Sequence, residues 1–179
     1  RNVHADGSIT CSLIASKNRL APMKGGVTIP RMELNGALLS ARLAMTIRQE
    51  LDVEIHSSFY WLDSVAVLSF IRDKKTRFSV YVGNRTTEIQ ETTKIQDWRY
   101  VPTALNVADG LSRGVFPSDF HEHPYFYGPR FLYESEESWP SEPNHAQTHA
   151  HDQTEVRKGQ EVIMVTKVEA STWVSTFLS

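Results

Sequence analysis

Three acidic residues stand where an α/β fold could bring carboxylates together for metal-dependent chemistry: Glu33, Asp63 and Asp109. Glu33 lies on the first full turn of a predicted helix, Asp63 ends a predicted strand, and Asp109 opens a late helical segment. Strand ends and helix starts meet at one edge of such a sheet, so we expect the three side chains to converge there. A pair of Mg²⁺ ions about 3.5 to 4 Å apart needs several hard oxygen ligands, and it can generate hydroxide and stabilise a leaving oxygen.

Spacing alone does not assign these residues to a metal site. They are three of 21 acidic residues, and each has an ordinary alternative role as a solvated charge or a helix cap. On spacing alone that alternative is the more common one, because short acidic patterns of this kind often arise without a shared function.

A basic loop formed by Lys74, Lys75 and Arg77 could contact the phosphates of a nucleic acid. Such contacts act through charge, so binding would depend strongly on salt. A solvated surface loop explains three neighbouring cations equally well, and both interpretations stay open. For Arg85 and Arg99 we favour packing of the side-chain stem on a neighbouring aromatic ring.

Five histidines toward the C-terminus could suggest a metal cluster: His121, His123, His145, His149 and His151. Zinc sites of the integrase type combine histidine with cysteine, and the chain contains a single cysteine. A His-rich disordered linker is therefore the favoured interpretation. The cysteine itself, Cys11, lies on the apolar face of a predicted strand and is expected to be a core residue.

The elements that must position the three carboxylates alternate between strand and helix. Hydrophobic residues recur at every second position in some segments and at helical spacing in others. These patterns predict strands at 8–21, 57–62 and 98–101, helices at 29–51, 65–71 and 79–92, and a short helical start at 106–113. Thr28 and Ser64 are the expected helix caps, and Asp6-Gly7 is an expected turn. The alternation predicts an α/β fold with a mixed sheet covered by helices.

Composition divides the chain into three regions: a folded domain at 1–114, an aromatic and acidic connector at 115–143, and a His-rich linker with a final segment at 144–179. We expect the connector to pack on the domain through its aromatic residues, and residues 144–158 to be disordered. Residues 1–113 hold 15 Lys and Arg against 11 Asp and Glu, whereas the remainder holds 4 against 10. A mildly basic domain would favour a phosphate backbone as partner.

Several classes of protein are disfavoured by composition. One cysteine rules out an intramolecular disulfide framework, and the chain has no run of about 18 or more apolar residues that could span a membrane. The first residues, RNVHADGSIT, lack the apolar stretch of a signal peptide. An intracellular protein without membrane partners is therefore expected. An aspartic peptidase is excluded because no Asp-Thr-Gly or Asp-Ser-Gly loop occurs.

Five blocks of sequence resemble the Pol region of BEL/Pao-type long-terminal-repeat retrotransposons. The blocks keep the order and spacing of that family as far as about Pro140, and none is a low-complexity pattern. They are ASKNRLAPMKGGVTIPRMELNGALLSARLA, FYWLDSVAVLSFI, VGNRTTEI, WRYVPTALNVADGLSRG and YGPRFL with SWP.

The resemblance implies a ribonuclease H-like domain that lies between reverse transcriptase and integrase regions of one polyprotein. Its implied activity is hydrolysis of the RNA strand of an RNA–DNA hybrid by a two-metal mechanism with Mg²⁺ or Mn²⁺. The family's carboxylates fall on Glu33 in IPRMEL, Asp63 in WLDS and Asp109 in NVADGLSR. The implied location is an intracellular retroelement particle.

One departure from the family pattern bears on activity. The fold's first strand carries a fourth carboxylate, shared between both metals, which should lie upstream of Arg1 together with most of the second strand. Asp6 is better explained by turn chemistry than as that residue. We therefore expect a truncated ribonuclease H-like sheet with an irregular C-terminal tail, and a chain that is inactive or nearly so although its parent is an endonuclease. The alternative is a non-catalytic module that holds nucleic acid or tethers reverse transcriptase to integrase.

Overall fold

The computed structural model of the chain describes residues 1–20, 27–109, 118, 123–142 and 155–157. Short strands and helices alternate within these ranges, and single 3₁₀ turns join several of them. In chain order the elements are β1 (Asn2–Val3), β2 (Ile9–Thr10), α1 (Ile29–Glu50), β3 (Tyr60–Leu62), α2 (Val65–Arg72), α3 (Val80–Thr92), β4 (Trp98–Tyr100) and α4 (Pro124–Tyr127). This mixed arrangement confirms the predicted α/β class and is compatible with a ribonuclease H-like fold.

Strands β3 and β4 pair in parallel, with Tyr60 opposite Trp98 and Leu62 opposite Tyr100. A parallel pair needs a crossover, and helices α2 and α3 supply it. Alternate residues of β3 point to opposite faces of the sheet. Tyr60 and Leu62 pack on the helices, and Trp61 packs on the other side. The sheet therefore lies between a helical layer and a layer of 3₁₀ turns.

Helix α1 confirms the helix predicted from the apolar spacing after Thr28. Thr28 is extended and occupies the cap position without a side-chain cap bond, and a proline follows in the first turn. The fully buried face runs from Leu34 to Ala41, whereas Met45, expected on that face, is 43% exposed. Helix α1 has 22 residues and α3, which packs beside it, has 13. Part of α1 therefore extends past α3.

Helices α2 and α3 begin where serine side chains can cap them. Ser64 Oγ accepts from the Val67 N–H, and Ser79 Oγ accepts from the Val82 N–H. Each cap satisfies a backbone donor that has no partner within its helix. Both helices were predicted within one residue of their observed ends; the Ser64 cap is confirmed, whereas Ser79, predicted as the first residue of α3, is its cap.

The main core fills the space between the three long helices and the sheet. Its largest fully buried side chains include Phe70, Leu34 and Trp98, and the Trp98 indole stacks on Tyr60 with ring centroids 4.6 Å apart. Burial raises the pKa of the Tyr60 phenol. Burial of this kind supplies most of the folding free energy of a domain of this size.

A second, smaller core lies on the opposite face of the sheet. Phe131 lies in the 3₁₀ turn Arg130–Tyr133, and Trp139 directly follows the 3₁₀ turn Glu136–Ser138. Both side chains pack against Val101 and Trp61. The Trp61 and Phe131 rings lie 4.9 Å apart. Aromatic residues of the 123–142 segment thus contribute directly to the fold.

The predicted strand at 8–21 is wrong in extent. Pairing stops after Ile9 and Thr10, which face Val3 and Asn2 in a two-residue antiparallel ladder. The turn at Asp6-Gly7 forms as expected: Asp6 Oδ1 accepts from the Ser8 N–H, and Gly7 has a φ of 83°. An alternating apolar pattern forms a strand only where a partner strand is present. Residues 11–20 pair with no other strand among the described residues.

Two further predictions need correction, and several predicted features lie outside the described residues. The helical start at 106–113 is a 3₁₀ turn at Val107–Asp109, and residues 110–113 are outside. Residues 155–157 were expected to be disordered, yet Glu155 is buried and Val156 forms an antiparallel bridge with Phe78. The boundary at Gly114, His121, His145, His149, His151 and most of 144–179 lie outside the described residues.

Candidate functional site

Glu33 is held beside the end of β3 by a hydrogen bond to the residue after Asp63. Its Oε2 accepts from Ser64 Oγ at 2.6 Å. The same hydroxyl accepts from the Val67 N–H at 3.4 Å as the cap of α2. One side chain therefore fixes the first turns of α1 and α2 next to each other.

Asp63 and Asp109 follow the two paired strands. Asp63 comes directly after β3 and is partly buried. Asp109 ends the 3₁₀ turn that follows β4, and its backbone N–H donates to the Asn106 carbonyl at 3.3 Å. Asn106 Oδ1 also accepts from the Ala108 N–H at 3.2 Å, which supports the turn from within. The ends of β3 and β4 lie at the same edge of the sheet because the strands are parallel.

A cavity of about 570 Å³ joins the three segments that carry the carboxylates. Glu33 lines it from α1, Leu62 lines it from the end of β3, and Ala108 lines it from the turn that contains Asp109. The structure therefore brings Glu33 and the immediate neighbours of Asp63 and Asp109 to one concave surface. Concave surfaces at the carboxyl ends of strands are where α/β folds bind ligands.

A fixed arginine forms part of the wall of this cavity. The Arg85 guanidinium lies over the Tyr81 ring, 3.6 Å from its centroid, and Arg85 Nε donates to Asn35 Oδ1 at 2.6 Å. Asn35 Nδ2 donates in turn to the Tyr81 hydroxyl at 2.6 Å. The aromatic packing predicted for Arg85 is confirmed, and Arg99 likewise lies 4.1 Å over the ring of Phe59.

Sequence analysis missed the cavity role of Arg85 and of two further cations, Lys17 and Arg19, which line the same surface. Arg85 lies more than 60 positions beyond Lys17 and Arg19, so no local pattern links it to them. The family-like blocks containing them were the available signal, because ASKNRLA and VGNRTTEI both fall on the cavity. Their shared charge favours an anionic ligand.

The carboxylates present are of the right chemical type for Mg²⁺ or Mn²⁺, which both prefer oxygen ligands. Across the described parts of the chain, however, no three His, Cys, Asp or Glu side chains lie close enough to hold a metal ion. The described residues alone thus fall short of a complete site. Convergence of all three carboxylates stays a prediction.

The basic loop lies apart from the cavity that contains Glu33. Lys74, Lys75 and Arg77 are exposed, and Asp73 organises the loop by accepting from the backbone N–H of Lys75 at 2.7 Å. Lys74 and Arg77 line a different cavity of about 360 Å³, together with Arg157. Contact of this loop with nucleic acid stays a prediction.

Replacing Ser64 with alanine is expected to lower the free energy of unfolding by about 1 kcal/mol, because α2 loses its side-chain cap. Glu33 would also lose the donor that fixes it. Urea unfolding followed by circular dichroism measures this, with Ser40→Ala as a control because the Ser40 hydroxyl bonds a carbonyl within α1. Equal effects of the two substitutions would contradict a special role for Ser64.

No helix among the described residues is both long and apolar enough to cross a membrane.

No curated protein and no solved structure gives a significant match to the chain. One family model does match: residues 1–64 match the Pao retrotransposon-like RNaseH-like domain. The matched span includes Glu33, Asp63 and Ser64, whereas Asp109 and the later family-like blocks lie beyond it. Over residues 1–64 the chain is therefore similar to the RNase H-like region of Pao-type retrotransposons, which confirms in that span the resemblance seen in its sequence blocks.

Proposed function

We propose that this chain is part of the RNase H-like domain of a BEL/Pao-type Pol polyprotein whose intact form cleaves the RNA strand of RNA–DNA hybrids. One observation carries the proposal: the family match spans both Glu33 and Asp63, and Glu33 is hydrogen-bonded to the residue that follows Asp63. The catalytic set would be Glu33, Asp63 and Asp109. Reverse transcriptase and integrase regions of the same polyprotein would be its covalent partners, inside an intracellular particle.

Two Mg²⁺ or Mn²⁺ ions would be held by these carboxylates together with a fourth from a first strand. When bound, such ions supply a hydroxide nucleophile and stabilise the leaving oxygen. Glu33 and the backbone at the end of β3 would hold their oxygens toward the cavity, and Ser64 would orient Glu33 through its hydroxyl proton. We propose that the chain as given, without that fourth carboxylate, is inactive or nearly so.

The truncation is supported by the open side of the sheet. Strand β3 pairs with β4 on one side, and no other described strand pairs with it. The β1–β2 hairpin is a separate ladder of two residue pairs, as expected if only the end of a second strand were present. We propose that the sheet lacks its first strand and most of its second.

Hybrid binding would rest on charge at the cavity. Arg85 is fixed by Tyr81 and Asn35 before any ligand arrives, so little side-chain entropy would be lost on contact with a phosphate. Lys17 and Arg19 add positive charge on the same surface. Contacts of this kind position a backbone without reading bases.

The experiment that tests the proposal measures binding of a labelled RNA–DNA hybrid as a function of salt. Replacing Arg85 with Gln is expected to weaken binding and to lower the slope of log affinity against log salt by about 1. Arg42→Gln is the matched control, because Arg42 lies on the exposed surface of α1 and is paired with Glu88. Equal loss in both variants would contradict the cavity as the binding surface.

A magnesium-dependent cleavage assay on the same chain should show little product, and robust cleavage abolished by Asp63→Asn would contradict the proposed inactivity.

The alternative function is a non-catalytic RNase H-like module that holds nucleic acid or tethers reverse transcriptase to integrase. The lack of a three-ligand metal group among the described residues favours it. Such a module would keep salt-dependent hybrid binding and would show no cleavage even when the missing strand is supplied.

A further inference from the structure

Residues 155–157, far along the chain, dock beside the start of α3 through a single β-bridge. Val156 forms an antiparallel bridge with Phe78. The Ser79 N–H donates to the Glu155 carbonyl at 2.7 Å, and the Arg157 N–H donates to the Arg77 carbonyl at 2.9 Å. Val156 also packs against the main core. Backbone pairing with one inserted side chain is how extended peptides add to exposed backbone edges.

The side chain that anchors this segment is a buried carboxylate. Glu155 is 1% exposed, and both of its oxygens accept from Arg31, at 2.6 Å from Nε and 3.0 Å from Nη2. Ser79 Oγ donates to Glu155 Oε2 at 2.7 Å. The two-pronged arginine pair and the serine recognise a carboxylate specifically, because an amide cannot accept all three hydrogen bonds. The cap position of α3 adds the favourable end of a helix dipole.

A second arginine–glutamate pair, which joins α1 to α3, shows what burial adds. Arg42 of α1 holds Glu88 of α3 with the same two-pronged geometry, at 2.6 and 2.8 Å. The hydrogen bond from Arg42 lowers the pKa of Glu88. Both side chains are exposed, at 55% and 38%, so this pair is screened by solvent and contributes little. Removing Glu155 instead would take away both hydrogen bonds that its carboxylate accepts from Arg31, whose side chain is only 29% exposed.

Three residues of the docked segment lie within the described ranges, and a polar stretch of sequence precedes them. Residues 143–154, PNHAQTHAHDQT, separate it from the residues after Trp139. The contacts of these three residues with the domain include two backbone hydrogen bonds, one aliphatic side chain and one carboxylate. Contacts of this size open more readily than the rest of a fold, and a tethered segment competes at a high effective concentration.

We propose that Arg31, Ser79 and the backbone of residues 77–79 form a docking site for an extended peptide with a glutamate followed by an aliphatic residue, and that residues 155–157 occupy it reversibly. The site fastens the chain beyond residue 142 to the folded domain. It is independent of nucleic acid, since its chemistry is that of a carboxylate and a strand edge. It also adjoins the cavity described above, because the Arg31 guanidinium lies 4.9 Å over the Tyr81 ring that holds Arg85.

The test uses a fluorescent peptide of residues 151–159, HDQTEVRKG, added to the full chain. In the Glu155→Lys chain the tethered segment cannot dock, so the site is free. We expect this chain to bind the peptide at least tenfold more tightly than the unaltered chain does. A peptide carrying Glu155→Gln should bind the same chain at least tenfold more weakly. The Glu88→Lys chain is the matched control and should behave like the unaltered one.

Hydrogen exchange provides a second measurement that does not depend on the variant folding well. In the unaltered chain the amides of Ser79 and Arg157 donate across the junction, so both should exchange at least tenfold more slowly than in an unstructured peptide. In Glu155→Lys the Ser79 amide should exchange faster, and added peptide should slow it again. Unprotected amides in the unaltered chain, or equal peptide binding by the Glu155→Lys and unaltered chains, would overturn the proposal. Should Glu155→Lys not fold, Glu155→Gln takes its place with the same expected direction.

Discussion

Adding an upstream strand that carries an aspartate is expected to turn this chain into a magnesium-dependent RNA–DNA hybrid nuclease. The strand would pair with the open side of β3, which β4 leaves unpaired, and would place a fourth carboxylate beside Glu33 and Asp63. A two-metal site fails when its shared ligand is missing, because the remaining acids then repel each other without compensation. The gain in cleavage rate should be at least about 10³-fold, equivalent to roughly 4 kcal/mol of barrier.

The measurement is cleavage of a labelled hybrid by the chain with and without an added upstream strand that carries the aspartate. Asp63→Asn should remove the activity of the lengthened chain, and so should replacing the added aspartate with asparagine. Double-stranded DNA of the same sequence is the substrate control. A lengthened chain that binds the hybrid without cutting it would contradict the nuclease proposal and favour the tether module.

Replacing Trp98 with alanine is expected to lower the free energy of unfolding by about 3 to 5 kcal/mol, the usual cost of removing a large buried aromatic side chain. Trp98 is 2% exposed, stacks on Tyr60, and donates from its indole N–H to Thr93 Oγ1 at 2.7 Å. Together with Tyr100, it packs β4 against the helical core. Chemical denaturation with two independent probes would measure the loss.

Trp98→Phe separates packing from hydrogen bonding. Phenylalanine keeps an aromatic face toward Tyr60, loses the bond to Thr93, which is worth about 1 kcal/mol, and loses only part of the buried ring volume. We therefore expect it to retain most of the stability that Trp98→Ala loses. A loss below 1 kcal/mol for the alanine variant would contradict the placement of Trp98 in the main core.

The elements that could be predicted are those with local signals. The apolar spacing of α1, the cap Ser64 and the aromatic runs of β3 and β4 lie within a few residues of the structure they produce. Helix periodicity and capping depend on neighbours three or four positions away, so a sequence reveals them directly.

The parts that could not be predicted depend on residues far apart in the chain. Glu155 sits in a polar stretch whose composition indicates exposure, yet Arg31, 124 positions away, buries it. The length of β2 depends on a partner strand, and alternation alone does not supply one. In each case the deciding contact is tertiary.

The candidate site was predictable to the level of its segments. Glu33 and the end of β3 lie together because α1 packs on the strand that precedes Asp63, as the α/β alternation suggested. The arginine wall was not predictable, because Arg85, Tyr81 and Asn35 interact through side-chain geometry across two helices.

The hydroxyl of Ser64 has a consequence for detecting occupancy of the site. It donates to Glu33 and accepts from the amide of Val67, so the two bonds share one oxygen. A cation that binds the Glu33 carboxylate would remove the acceptor of the Ser64 hydroxyl proton. The Ser64 oxygen would then be less polarised and would accept more weakly from the Val67 N–H. The Val67 amide resonance would then shift during a metal titration, which makes a backbone signal inside α2 a reporter of events at a carboxylate on another helix.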